Sequence, residues 1–185
     1  QHAQLKLVTE RADRVALLLE YAAVLEEHLD DVAGAITACQ EVVTLDAHHR
    51  GALDALGRLH DRAGRLQPAV EALQRLLEET RDSRDRADVL ARIGQLHVSA
   101  RDPIKAQSSL GQAISLDATN ARAHEGMARL HVHEGKLVLA GEELVRAAQL
   151  ATNHSDTVRC PVSGSSPSRA SPATIPAVSR STTCT

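Results

Sequence analysis

The stretch from Leu53 to Leu77 reads LDALGRLHDRAGRLQPAVEALQRLL, and the stretch from Leu90 to Ile114 reads LARIGQLHVSARDPIKAQSSLGQAI. Set one under the other, they share a rhythm. Leu53, Leu56, Gly57, Leu59 and His60 mark one face of a helix, and Leu90, Ile93, Gly94, Leu96 and His97 mark the same face in the second stretch. A break follows, at Gly64 in one and at Asp102-Pro103 in the other. A second stripe then begins: Ala69, Leu73, Leu76 and Leu77 in the first case, Ala106, Leu110, Ala113 and Leu116 in the second. Spacings of three and four are the helical period, so each stretch reads as helix A, tight turn, helix B.

The rest of the chain keeps this beat. Ala35, Ala69, Ala106 and Ala140 follow one another at gaps of 34, 37 and 34 residues, and Ala23, Gly57, Gly94 and Ala128 each lie 12 residues before one of them. Self-similarity at a period in the thirties marks a helical repeat array. Four units result, 16–49, 50–86, 87–120 and 121–154. Gly64 and Gly135 stand where helix A must stop and a left-handed residue is needed. Asp102-Pro103 is an N-cap followed by proline in the first turn, and Asn120 caps the helix from Ala121. Leu45-Asp46-Ala47 and Leu116-Asp117-Ala118 close two B helices alike. The small pairs Ala23/Ala35, Gly57/Ala69, Gly94/Ala106 and Ala128/Ala140 are the expected crossing points of the paired helices. The run Arg81-Asp82-Ser83-Arg84-Asp85-Arg86, with three extra residues, reads as solvated loop.

At these residues the chain resembles the tetratricopeptide repeat. The likeness is carried by Leu56-Gly57, Gly64, Ala69, Leu73 and Leu76, and by Leu110 through Leu116-Asp117-Ala118 followed by Asn120, and it spans about residues 16–154. It implies an all-α fold, a right-handed superhelical solenoid of antiparallel helix pairs whose A helices line a concave face. The family's large aromatics are replaced by Leu19, Leu53, Leu90 and His124 on the A helices, and by Cys39, Leu73, Leu110 and Leu144 on the B helices. The proline that commonly ends a repeat is Ala47 and Ala118 here.

The two ends differ from this pattern. Leu5, Leu7 and Val8 resemble the close of an earlier B helix, with a polar link over 10–15 leading into Ala16, so residues 1–15 read as the end of a preceding repeat. The chain opens Gln-His-Ala-Gln without a start Met, as a fragment or a processed chain would. From Ser155 to Thr185 more than half of the residues are Ser, Thr or Pro. Such a segment buries too little apolar surface to offset its ordering entropy, so a disordered tail is expected.

Composition excludes several classes. There is no Trp or Phe, and Tyr21 is the single aromatic, so Leu, Ala and Val must fill the core. A net charge of -3 gives no pull toward nucleic acid or an anionic membrane. Arg far exceeds Lys, which reads as GC-rich, bacterial coding bias. No apolar run of membrane-spanning length occurs. Three scattered cysteines, Cys39, Cys160 and Cys184, form no disulfide framework and fit a reducing compartment, cytoplasmic by default.

Catalytic and metal signals are weak. His60, His97 and His131 hold one place in three successive units. Packed helices lie about 8–10 Å apart, whereas zinc ligands must each sit about 2 Å from the ion, so the three make a row rather than a cage. A histidine-based metal binder remains a separate reading, tested by zinc titration. His131 and His133 point to opposite sides of a helix, and His124-Glu125 lacks the second histidine of a zinc-protease helix. No nucleophile elbow, Walker loop or dinucleotide fingerprint appears. Cys39 reads as a small core residue. No catalytic residue, metal or cofactor is therefore expected, and the chain is expected not to be an enzyme.

What remains is a surface. The resemblance implies that peptides dock on the A-helix face, where the matching residues are Glu20, Val24 and Glu27, then Asp54, Arg58 and Asp61, then Asp88, Arg92 and Gln95, then Arg122, Glu125 and Arg129. Arg58, Arg92 and Arg129 are possible carboxylate holders, and pairing of these charges among themselves is the alternative. The asparagines of the family's chaperone-tail clamp are replaced by Val24, Arg58, Gln95 and Arg129, so chaperone binding is not expected. The expectation is a non-catalytic scaffold for a protein or peptide. The alternative is a repeat segment of a larger enzyme or regulatory protein. No polar capping helix follows Leu150, so self-association through uncapped terminal repeats is also expected.

Overall fold

The computed structural model describes residues 2–158, with side chains described over 10–151. Among the described residues there are eight α-helices and no strand. In chain order they are α1 (His2–Glu27), α2 (Val32–Leu45), α3 (Arg50–Arg62), α4 (Leu66–Glu79), α5 (Ser83–Ser99), α6 (Pro103–Leu116), α7 (Ala121–His133) and α8 (Leu137–Val158). Each odd helix packs on the even helix that follows it, and each hairpin packs on the next, which makes a solenoid of antiparallel helix pairs. The disordered tail expected from Ser155 lies outside the described residues from 159 on. Up to Val158 the backbone continues α8 as helix.

The turns inside the hairpins are alike because the same backbone problem recurs. At the end of α3 the Gly64 amide donates to the Asp61 carbonyl at 2.9 Å, and the Arg65 amide donates to the His60 carbonyl at 2.8 Å. This pair of bonds needs a left-handed residue after the cap. Gly64 supplies it at φ 69° and Gly135 at φ 75°, as the sequence predicts. Arg101 (φ 58°) and Asp30 (φ 52°) do the same work at the steric cost a side chain brings. At the helix starts, Asp31, Asp102 and Asn120 accept from the amides of Gly34, Lys105 and Ala123 at 2.9, 3.1 and 2.9 Å. Asp46 and Asp117 turn the chain between repeats by accepting from the amides of His48 and Thr119.

The core runs through each hairpin and on into the next. One apolar cluster joins Ala22 and Leu25 of α1 to Leu56 and Leu59 of α3. A second joins Leu53 and Leu73 to Val89 and Ile93 of α5. Two more join α5 and α6 to α7 through Leu90, Ala91, Ala113 and Ala123, and through Leu110 and Leu130. A fold of this kind draws its stability from neighbouring repeats.

Four expectations need correction. At Gly57 and Gly94 the side chain nearest the crossing is a leucine rather than the expected alanine. A Cβ placed on Gly57 would lie 2.6 Å from Leu73, and one on Gly94 would lie 2.5 Å from Leu110, each leucine being one helical turn beyond the buried Ala69 or Ala106. Ala23 is exposed, and Ala22 takes the buried place on α1. On α2 the register position of those leucines is held by Cys39, which is buried in one cluster with Ala22 and Leu25. Of the run Arg81–Arg86, only Arg81 and Asp82 lie outside helix, and Ser83 to Arg86 open α5. Asp82 caps α5 by accepting from Arg84 and Asp85, and the three extra residues add nearly one turn to its start. Arg86 then donates to the carbonyls of Leu77 and Thr80, closing α4. Finally, the polar link before Ala16 is helix, because Glu10-Arg11-Ala12-Asp13-Arg14 contains good helix formers and no Gly or Pro, so α1 runs on unbroken.

Candidate functional site

The concave face is built from residues that helical spacing brings to one side of α3, α5 and α7. Asp54, Gly57, Arg58 and Asp61 from α3 share one groove with Arg92, Gln95, Leu96 and Ser99 from α5 and Arg122 and Arg129 from α7. Its volume is about 450 Å³, and Leu73 forms part of its floor. Seven of the residues singled out from the sequence meet there: Asp54, Arg58, Asp61, Arg92, Gln95, Arg122 and Arg129. A larger hollow of about 910 Å³ opens at the rim where the A helices begin. It brings in Asp88 and Glu125 beside Arg50, Arg84, Asp85 and Asn120. Glu20 and Glu27 are exposed on α1 and line neither hollow.

Charges on this face are arranged as a ladder between successive A helices. Arg58 of α3 holds Glu26 of α1, and Arg62 holds Asp30 at 2.6 Å. Arg92 of α5 reaches back to Asp54 of α3. Arg122 of α7 reaches back to Asp88 of α5 at 3.2 Å, and the Gln95 amide donates to the Arg122 carbonyl. Arg50 pairs with Asp85 at 3.4 Å. Arg58, Arg92 and Arg122 therefore already have carboxylate partners within the chain. Arg129, Asp61 and Glu125 enter no ion pair among the described residues, so Arg129 is the cation on this face most open to a ligand. These charges pair among themselves, the alternative expected from the sequence. The rim residues Arg50, Arg84 and Asp85 were missed there, because they sit in the run taken for loop or before the apolar stripe begins. The signal that finds them is an arginine in one unit matched by an acid 33 to 35 residues later, Arg50 with Asp85 and Arg84 with Asp117.

The histidines stand apart from the groove. His60 is buried, and its Nδ1 has no partner. Burial pushes the pKa of both His60 and His97 down from the ordinary imidazole value. His124, also buried, places Nδ1 2.6 Å from the Glu143 carboxylate on α8 and Nε2 3.1 Å from the Ala118 carbonyl, which ties the last hairpin together. Among the described residues no group of three His, Cys, Asp or Glu side chains could hold a metal ion. Cys39 is buried in the first core cluster, and desolvation together with Glu26 raises its pKa against the opposing pull of Arg58. No described helix is long and apolar enough to cross a membrane.

Residues 28–93 match the family model of the tetratricopeptide repeat. No curated protein matches the chain. Among solved structures, MamA is similar over 84% of this chain and 88% of its own, at 21% identity and a TM-score of 0.66. YrrB, a TPR protein with an unusual peptide-binding site, is similar over 82% of this chain and 76% of its own, at 17% identity and a TM-score of 0.59. The O-GlcNAc transferase of Thermobaculum terrenum is similar over 65% of this chain but only 22% of its own, at 25% identity and a TM-score of 0.53. The matched segment covers α2 to α4 and reaches into α5, and the hairpins on either side repeat its geometry: residues 28–93 carry the tetratricopeptide repeat, and the chain shares the fold of the solved structure of MamA.

Proposed function

We propose that this chain is a non-catalytic scaffold that holds a protein or peptide segment on its concave A-helix face. The observation that carries this reading is the groove in which α3, α5 and α7 each contribute polar side chains over an apolar floor. Its mechanism is shape and charge placement. The Asp54–Arg92 and Asp88–Arg122 pairs hold the walls in a fixed spacing, and a rigid groove spares a ligand part of the ordering cost of binding. Arg129 and Gln95 are the groups best placed to meet a ligand carboxylate or backbone, and Asp61 to meet a cation. Neither nucleic acid nor a membrane is proposed as partner. The exposed ends of the stack are proposed as sites of self-association.

The test is a peptide array probed with the full chain, with hits measured by fluorescence polarisation against the Arg129→Ala and Asp61→Ala variants. At least one variant is expected to weaken binding several-fold. Peptides that bind both variants as tightly as the parent would move the site off this face. A second reading is that these repeats are one segment of a larger enzyme or regulatory protein. It is favoured by the transferase comparison, in which this chain matches about a fifth of a much longer one. The complete reading frame of the gene decides between the two.

A further inference from the structure

The two ends of the stack expose the two halves of one joint. Leu110 of α6 is fully buried, pressed between Gly94 of its own hairpin and Gly126 of the next, whose Cβ position lies 2.5 Å away. Leu73 and Cys39 hold the same place on α4 and α2 and are 1% exposed. On α8 that place is Leu144, 51% exposed, because no helix A lies beyond it among the described residues. The complementary half is on α1. Tyr21 stands in register with Ala55, Arg92 and Gly126. In each of those three cases the position faces the preceding hairpin. Ala55 packs against the first core cluster, Arg92 reaches Asp54, and Gly126 meets Leu110. Among the described residues Tyr21 has no such cover and is 57% exposed, with Leu17 and Val24 exposed on the same stripe of α1.

We propose that the chain associates head to tail, α1 of a second copy packing on α8 of the first as α7 packs on α6. This rests on the reading above that the ends self-associate, and it names the joint. Three observations select a second copy as the occupant. The stripe that α1 offers is the counterpart, in register, of the face that α8 leaves bare. The polar chemistry also closes. Asp54 pairs with Arg92 across an internal joint, and Glu125 is the register equivalent of Asp54, so its carboxylate would receive the phenol of Tyr21 from the second copy. Lastly, α1 and α8 are the helices that overrun the repeat, at 26 and 22 residues against 13 to 17 for the others, and both overrun at the rim where A helices begin and B helices end. A head-to-tail neighbour brings the two overhangs together. Such a contact does not close on itself, so it yields an open series rather than a dimer.

Sedimentation velocity of the full chain over a hundredfold range of concentration tests this. The parent is expected to grow without a plateau. Tyr21→Glu and Leu144→Glu, both at exposed positions, should each raise the dissociation constant at least tenfold and run as monomers, with unchanged helical circular dichroism. An equimolar mixture of the two should form a one-to-one dimer and nothing larger, because each variant keeps the half that the other has lost. Tyr21 is the single aromatic residue, so in that mixture its fluorescence reports the Leu144→Glu copy alone and should shift as the Tyr21→Glu copy is added. If either glutamate variant loses helical signal, Tyr21→Ser and Leu144→Ser serve in its place with the same expectation. A parent that stays monomeric throughout overturns both the joint and the self-association reading. Oligomers that persist in both variants, or a mixture that stays monomeric while the parent associates, overturn the joint and leave self-association through another surface.

Discussion

The helices α4 and α8 hold the same place in their hairpins, and they are buried very differently. α4 buries Ala69, Val70, Ala72, Leu73 and Leu76. Over its described side chains α8 buries only Ala140 and Ala147. Leu137, Val138, Leu144 and Val145 lie open on it. The two sequences are comparably apolar, so composition does not separate them. What separates them is a following helix A, present for α4 and absent for α8 among the described residues. In a repeat array a residue's energy is set as much by its neighbour's neighbour as by its own type.

The largest effect expected from this comparison is at matched leucines. Leu110→Ala should cost about 2–5 kcal/mol in urea unfolding, as a cavity in a close-packed site does. Leu144→Ala, at the equivalent place on α8, should stay within about 0.5 kcal/mol when measured on dilute protein. Equal losses would mean that the last hairpin is covered. Matched glycines come next. Gly94→Ala should cost about 1–3 kcal/mol, because the new methyl would meet Leu110 within the packed joint. Gly141→Ala on α8 has nothing within 4 Å of the added carbon and should stabilise by up to about 1 kcal/mol through helix propensity. Both are read from thermal or denaturant midpoints, and a shared sign would erase the distinction.

Smaller still is the ladder. Arg92→Ala removes a half-buried pair with Asp54 and should cost about 1 kcal/mol, whereas Arg129→Ala should change stability little and act on binding instead. The smallest effect concerns pH. The pKa values of His60 and His97 are lowered in the folded chain. Below the ordinary imidazole value of 6.5 the unfolded chain therefore takes up protons that the folded state resists. Stability should hold above that pH and decline as the pH falls through and below it. His60→Leu should flatten the decline, and urea titrations at pH 7.5 and 5.5 would show whether it does.

Much of this architecture was legible from residue spacing. The beat of small residues, the glycines at Gly64 and Gly135 and the caps at Asp102 and Asn120 are local signals, and local chemistry decides them. Partners across a crossing were not legible, since the pairing of Gly57 with Leu73 rather than Ala69 depends on how far two helices slide past each other. The start of α5 was hidden because charged residues serve equally as loop and as the exposed first turn of a helix. On the concave face, the resemblance to the repeat family is what brought Asp54, Arg58, Arg92 and Arg129 together. Which of them were already paired depended on the offset between hairpins, a quantity that no single helix carries.

The measurement closest to the central claim is amide hydrogen exchange on the full chain, resolved by helix, at a concentration where the protein is monomeric. If consecutive hairpins stack in register and bury one another, amides of α3 to α6 should exchange most slowly, with α8 and the start of α1 opening first. Protection in α8 equal to that in α6 would contradict this account of the fold.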